Sequence, residues 1–240
     1  MSVPILCYHK VAPAAEAGRR LNVEPAVLES HVRWFARRGR RFVRAGDLAG
    51  RLPEKTVCLT FDDAYVSTLT RGLEILVRHG ATGSVYAVPG LLADAAAEGR
   101  RARSVWDGEQ ADELADLDML RAASDAGVEI GNHTSDHADL SRLADEQAAA
   151  RIIEADRKLR EWGLKPESLA APYGRLPADS VPVPYPVVLG LGRRCARQTD
   201  DQRRLPRIVV AYGDRLAKLL YRIYVRPALP TFRRRAHYID

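Results

Sequence analysis

Short apolar runs alternate along this chain with stretches whose apolar residues recur every three or four positions. The runs are rich in β-branched and aromatic residues and predict strands at 4–8, 41–43, 57–61, 84–88, 128–130 and 169–171, with later ones at 187–189, 196–199 and 208–210. Helical spacing predicts helices over 25–38, where Leu28, Val32 and Phe35 form the apolar face, and over 66–78, where Leu69, Leu73, Leu76 and Val77 do. It also predicts 117–126, 144–162 with the stripe Ala148, Ile152, Ala155, Leu159 and Trp162, and 216–225. Pro25 opens the first helix, Gly39, Gly80, Gly127 and Gly163 follow four of them as stops, and Asp47 caps a short helix to Leu52. Pro89-Gly90 reads as the close of a strand, and 91–113, rich in Ala, Gly and charge, as an insertion or long loop. Pro177, Pro182, Pro184 and Pro186 exclude a helix over 177–186. Strands alternating with helices predict a parallel α/β domain.

Composition narrows the class. With 240 residues, 46% of them apolar, the chain can bury one sizeable core, and no run approaches the ~18 apolar residues of a membrane span. Met1-Ser2-Val3-Pro4 carries no basic leader region, so a cytoplasmic location is expected. Cys7, Cys58 and Cys195 are odd in number and far apart, which fits reduced thiols better than a disulfide framework. The net charge of +6 gathers at Arg37-Arg38, Arg40-Arg41, Arg193-Arg194 and Arg233-Arg234-Arg235. It reads as solvated surface or as a contact for an anionic partner, and no nucleic-acid-binding motif accompanies it.

The chemistry starts where the run 57–61 ends in Asp62-Asp63. Two carboxylates at a strand end can reach one site from different directions, one as a metal ligand and one as a base. The alternative is a strand end followed by a helix cap. His133 and His137 directly follow another strand, four residues apart, a spacing that puts both imidazoles on one side of a helical turn. Strand ends share one face of a parallel α/β fold. Asp63, His133 and His137 are therefore candidate ligands of one divalent metal. Zinc is the first choice, with cobalt or nickel open to the same donors. Asp62 is the available base, and hydrolysis of an amide or ester by metal-activated water is the expected reaction.

Thr60-Phe61-Asp62-Asp63, His133-Thr134-Ser135-Asp136-His137 and Pro172-Tyr173-Gly174 resemble, in order, three motifs of the polysaccharide deacetylases, the NodB-homology group or carbohydrate esterase family four. Ile5-Leu6-Cys7-Tyr8-His9-Lys10-Val11 resembles the start of one branch, and the likeness spans about residues 3–210. It implies a distorted (β/α) barrel of about seven parallel strands. It implies Asp62 as base, Asp63, His133 and His137 as metal ligands, and a substrate groove at Pro172, Tyr173 and Gly174. There the Tyr173 backbone N–H would stabilise an oxyanion; the alternative is an ordinary turn.

Three departures stand out. Ala170 occupies the place of a usual Arg that orients the base, Ala64 follows the two Asp where Gly is usual, and the late Leu-x-His motif is missing. In the branch with Tyr-His near its start, that last role passes to the N-terminal region, which makes His9 the candidate general acid; the alternative is a His that ends a strand and hydrogen-bonds a carbonyl. Arg207, opening a late strand, is the candidate for the charge absent at Ala170 and on that reading pairs with Asp62; the alternative is a surface-exposed or purely structural Arg. The expected organisation is a deacetylase domain over 1–212 and a basic amphipathic segment over 213–240. The expected function is removal of N-acetyl groups from a sugar or glycan, soluble or lipid-linked; the apolar stripe of the C-terminal segment is expected to dock on the barrel, with peripheral anionic-membrane contact through 215–235 as the alternative. The rival readings are a catalytically impaired glycan-binding barrel and a basic membrane-surface or nucleic-acid-binding protein.

Overall fold

In the computed structural model, described over residues 2–104, 106 and 112–228, seven parallel strands close on themselves. They are β1 (Ile5–Tyr8), β2 (Thr56–Phe61), β3 (Ser84–Ala87), β4 (Glu129–Asn132), β5 (Ser168–Ala170), β6 (Val187–Gly192) and β7 (Leu205–Val209). Each pairs with its neighbour in sequence, and β1 closes the ring against both β7 and β2. A further strand, Arg41–Val43, pairs with the start of β2. The principal helices are α1 (Pro25–Arg37), α2 (Leu73–Arg78, entered through a π-turn at Thr68–Gly72), α3 (Pro89–Ala97), α4 (Leu117–Asp125), α5 (Asp145–Glu161) and α6 (Leu216–Leu220).

The period of two along a strand explains the division of the core. Val57, Leu59 and Phe61 of β2 join the helix-facing core with Leu28, Val32 and Phe35 of α1. Each of these α1 side chains is fully buried and stabilises the fold by roughly 1.5–3 kcal/mol. Cys58 points the other way, into a second cluster with Ile5, Tyr86, Ala170, Val187, Leu189 and Leu205. The interior also holds polar groups. Glu129 accepts hydrogen bonds from Ser84, Ser168 and the Gly46 N–H (2.7, 2.6 and 2.9 Å), and Ser168 is bonded to the Tyr86 hydroxyl (2.7 Å). Gly131 makes this possible: a Cβ there would lie 2.4 Å from the Tyr86 ring.

Several elements differ from the sequence reading. Pro89-Gly90 does not close a strand; it opens α3, with Pro in the first helical positions, where its missing N–H costs nothing. The stretch 91–113 therefore starts as helix, hidden because α3 is Ala-rich with little amphipathic contrast. His133 and His137 lie on an irregular loop, not a helical turn. Strand β4 runs on through Gly131 to Asn132. Ala196–Arg197 is a two-residue strand outside the barrel, antiparallel to Ser2–Val3. Helix α6 stops at Leu220 and continues as a π-turn, Tyr221–Val225. Its stripe docks on the barrel, with Leu219 and Ile223 buried in the main core, while Tyr221, Tyr224 and Val225 stay exposed. The Arg233-Arg234-Arg235 cluster lies outside the described residues.

Candidate active site

The strand ends bring the chemistry together. His9 follows β1, Asp62 and Asp63 follow β2, His133 follows β4 and Pro172 follows β5. Asp63 Oδ1 lies 3.4 Å from His133 Nε2 and 3.3 Å from His137 Nε2, and all three side chains are buried. Oδ1 is buried without a well-formed hydrogen bond. His133 Nδ1 sits 2.7 Å from the Ala170 carbonyl, so Nδ1 carries the proton and Nε2 presents a lone pair to the carboxylate. A metal ion, or a second proton on the imidazole, can stand between that nitrogen and the carboxylate. Tetrahedral ligands ~2.0–2.1 Å from zinc stand about 3.3 Å apart, and this set fits that spacing. The donor chemistry, one carboxylate and two imidazoles, suits zinc, cobalt or nickel.

Electrostatics follow the geometry. Burial raises the Asp63 carboxyl pKa, but His133 and His137 outweigh it and hold it well below the usual carboxylate range. Burial lowers the His133 imidazole, and the charges of Asp62 and Asp63 reverse that, leaving it raised. Burial dominates at His9, which is lowered and neutral at pH 7.

Asp62 is arranged differently. Arg207, fully buried in β7, donates to both its oxygens at 2.5 and 2.8 Å and also to the Thr60 hydroxyl (3.1 Å) and Gly190 carbonyl (3.2 Å). Burial pushes the Asp62 carboxyl up, and Arg207 pulls it down further, to about 2. The Cys7 thiol donates to the same carboxylate at 3.4 Å.

Backbone strain concentrates here. Non-glycine residues with positive φ include Asp63 (72°), Ala64 (54°), Thr134 (66°), His137 (60°) and Tyr173 (57°), a conformation that persists only where surrounding contacts impose it. The Asn132 amide fixes the His loop, bonding the Ile152 carbonyl and Tyr185 hydroxyl while accepting from the Thr134 N–H. Gly90 lets α3 approach that loop; a Cβ there would lie 2.1 Å from the Ser135 carbonyl oxygen. Pro172–Gly174 forms a 3₁₀ turn whose internal bonds use the Gly174 and Arg175 N–H groups but not that of Tyr173. The Tyr173 side chain is half exposed and packs edge-on against His137, with centroids 4.8 Å apart.

Three participants were not singled out from sequence. Trp106 stacks on His137 (3.8 Å between centroids, 17° between planes) and donates to the Tyr65 hydroxyl. It falls in the stretch read as loop, where no periodicity marks it. The Ala170 carbonyl acts through backbone, which composition cannot show. Cys7 was absorbed into an apolar run, although its place two residues before His9 puts both on one side of the strand.

A barrel of this form with these strand-end residues defines a class, and comparison with known proteins gives its family. The polysaccharide deacetylase family profile matches residues 49–183, more than half of the chain, and the chain belongs to that family. The match includes Asp62, Asp63, His133, His137 and Pro172–Gly174 but neither His9 nor Arg207. YxkH of Bacillus subtilis, itself assigned to the polysaccharide deacetylases, is 21% identical over 161 residues, covering 65% of this chain and 50% of its own. The chain thus spans about half the length of that relative. The deacetylase PplD of Streptococcus pyogenes shares the fold at 19% identity, with a TM-score of 0.74 over 92% of this chain and 97% of its own. IcaB from Ammonifex degensii does so at 22% identity, with a TM-score of 0.69 over 91% and 95%.

Proposed function

We propose that the chain is a metal-dependent N-deacetylase acting on an N-acetylated sugar or glycan. The observation that carries this reading is the facing of Asp63 Oδ1 with two imidazole Nε2 atoms at 3.3–3.4 Å, beside a second, arginine-held carboxylate. Asp63, His133 and His137 would hold one divalent ion, zinc first. When bound, it would lower the pKa of its water to roughly 7 and polarise the acetyl carbonyl.

The chain's own groups would do the rest. Asp62 is fixed in orientation by Arg207 and accepts the proton of the attacking water. A carboxylate with a pKa of about 2 holds that proton only in passing. His9 is neutral at rest, and its nitrogen lies within 4.8 Å of the Asp62 carboxylate. It takes the proton on and delivers it to the departing amine. The Tyr173 N–H, outside its turn's hydrogen bonds, is the donor for the oxyanion. Tyr173, Pro172 and Gly174 would line the groove, with Trp106 stacked on His137.

Ala170 leaves no charge missing beside Asp62, because Arg207 reaches the carboxylate from β7. The substrate would be either a soluble amino sugar or a lipid-linked glycan. Among the described residues no helix is long and apolar enough to cross a membrane. Contact with an anionic membrane would rest on Tyr221, Tyr224, Val225 and Arg226, because Leu219 and Ile223 are used in the core. The test is acetate release from a panel of N-acetylated oligosaccharides, nucleotide sugars and lipid-linked sugars, with and without added zinc or cobalt. Metal-stimulated release from at least one class supports the reading; none from any class, with one metal bound per chain, rejects it.

A further inference from the structure

The strand end that supplies His9 also supplies Cys7, and together with Asp62 these form a second group of metal-ligating atoms beside the first, all within 4.8 Å of one another. The Cys7 Sγ lies 3.4 Å from Asp62 Oδ2. A thiolate ~2.3 Å and a carboxylate oxygen ~2.0–2.2 Å from a tetrahedral zinc stand about 3.5 Å apart, so the pair already has the separation of two ligands on one ion. His9 adds an imidazole whose Nδ1 is buried and accepts or donates no hydrogen bond among the described residues.

We infer that Cys7, His9 and Asp62 form an inhibitory site for a second divalent ion of borderline or soft character, such as zinc, cobalt or cadmium. The ion replaces the thiol proton in the Cys7–Asp62 hydrogen bond. The S–H bond breaks, its proton leaves to solvent, and metal–sulfur and metal–oxygen bonds form with no change of oxidation state. Asp62 keeps both bonds to Arg207, because a carboxylate offers about four lone-pair positions.

Charge decides the order of filling. Before any metal enters, Asp63 and two neutral imidazoles sum to a formal −1, whereas Asp62, Arg207, the Cys7 thiol and neutral His9 sum to zero, so the first ion goes to the Asp63 site. The second ion is accommodated once the Cys7 thiolate offsets the guanidinium. Because the second ion enters beside a filled first site, and displaces a thiol proton, it binds more weakly and only when metal is in excess. Its consequence is direct: it occupies the groups assigned as base and acid, and turnover stops. This inference rests on the proposed deacetylase reading for its effect on activity, but not for the binding itself.

Cobalt tests it on the full chain. The protein is loaded with one equivalent of cobalt and titrated with more, following the near-ultraviolet thiolate-to-cobalt absorption band together with acetate release. The first equivalent, on oxygen and nitrogen ligands, gives no thiolate band. The second brings the band in, and inhibition follows the same isotherm. In Cys7→Ser and Cys7→Ala the band is lost, the first equivalent still binds, and the cobalt needed for inhibition rises by at least the roughly tenfold that even an outer-shell ligand partner commands. Absence of a thiolate band at inhibitory cobalt in the wild-type chain overturns the inference, as does a band that survives both substitutions. Failure of the first equivalent to bind would instead count against the Asp63–His133–His137 assignment, so the two readings fail separately.

Discussion

Arg207 grips Asp62 through two near-parallel hydrogen bonds, 2.5 and 2.8 Å long, although the two residues are 145 positions apart in the chain. The pair is wholly inside the barrel mouth, and its guanidinium also bonds Thr60 and Gly190. A buried charge pair of this kind fixes geometry more than it adds stability. Breaking it by removing one partner is costly, because the other charge remains buried.

Arg207→Met should therefore destabilise the fold by about 3–5 kcal/mol and change the acid limb of the rate profile. With Arg207 present, the Asp62 pKa of about 2 lies below its unfolded value, so its stabilising contribution is present above about pH 4 and is lost as pH falls toward 2. Over ordinary assay pH, Asp62 stays ionised and contributes no limb. Without Arg207, burial is opposed by His133 and His9 alone, and the carboxyl moves upward. A new acid limb in kcat/KM is expected, measured by pH–rate profiles beside thermal unfolding. An unchanged profile with full stability would contradict the pairing's role.

The two adjacent carboxylates should separate by experiment. Asp62→Asn keeps the metal and loses turnover, by ~10²-fold or more if it is the general base. Asp63→Asn loses metal, as His133→Ala and His137→Ala do. Metal content by elemental analysis, paired with acetate release, checks this. Equal metal loss in Asp62→Asn and Asp63→Asn would remove the division of labour.

His9→Gln distinguishes a leaving-group acid from a residue that merely ends β1. An amine leaves poorly without a proton, whereas an activated aryl acetate needs none. The substitution should slow amide hydrolysis by ~10²-fold or more and spare aryl acetate hydrolysis. Equal losses on both substrates would point to a positioning role.

Gly131→Ala tests the barrel interior. Its Cβ would fall 2.4 Å from the Tyr86 ring, which the Ser168–Glu129 bonds hold in place. Overpacking of that kind costs about 1–3 kcal/mol, read as a lower melting temperature; an unchanged melting temperature would show that the ring is free to move.

How much of this was legible in the sequence depends on the type of signal. The strands β1, β2 and β3 were readable because β-branched and aromatic residues mark buried strands. Helices α1 and α5 were readable because their apolar stripes recur with helical spacing. Helix α3 was not, because an Ala-rich helix following Pro89 lacks that contrast. The Asp and His motifs stand out as chemistry-bearing pairs at strand ends, but the loop conformation that unites His133 and His137, with φ of 66° at Thr134 and 60° at His137, has no residue signature. The contacts of Trp106 and the Ala170 carbonyl are tertiary, and no local pattern announces them.

The central claim is that acetate release depends on one metal held by Asp63, His133 and His137. The most direct measurement strips the full chain of metal, restores zinc or cobalt in steps, and records acetate release from a responsive N-acetylated glycan against metal bound per chain. Activity should rise in proportion to occupancy, reach its maximum at one equivalent, and stay absent in His133→Ala at the same total metal. Full activity in the stripped chain, or wild-type activity in His133→Ala, would contradict it.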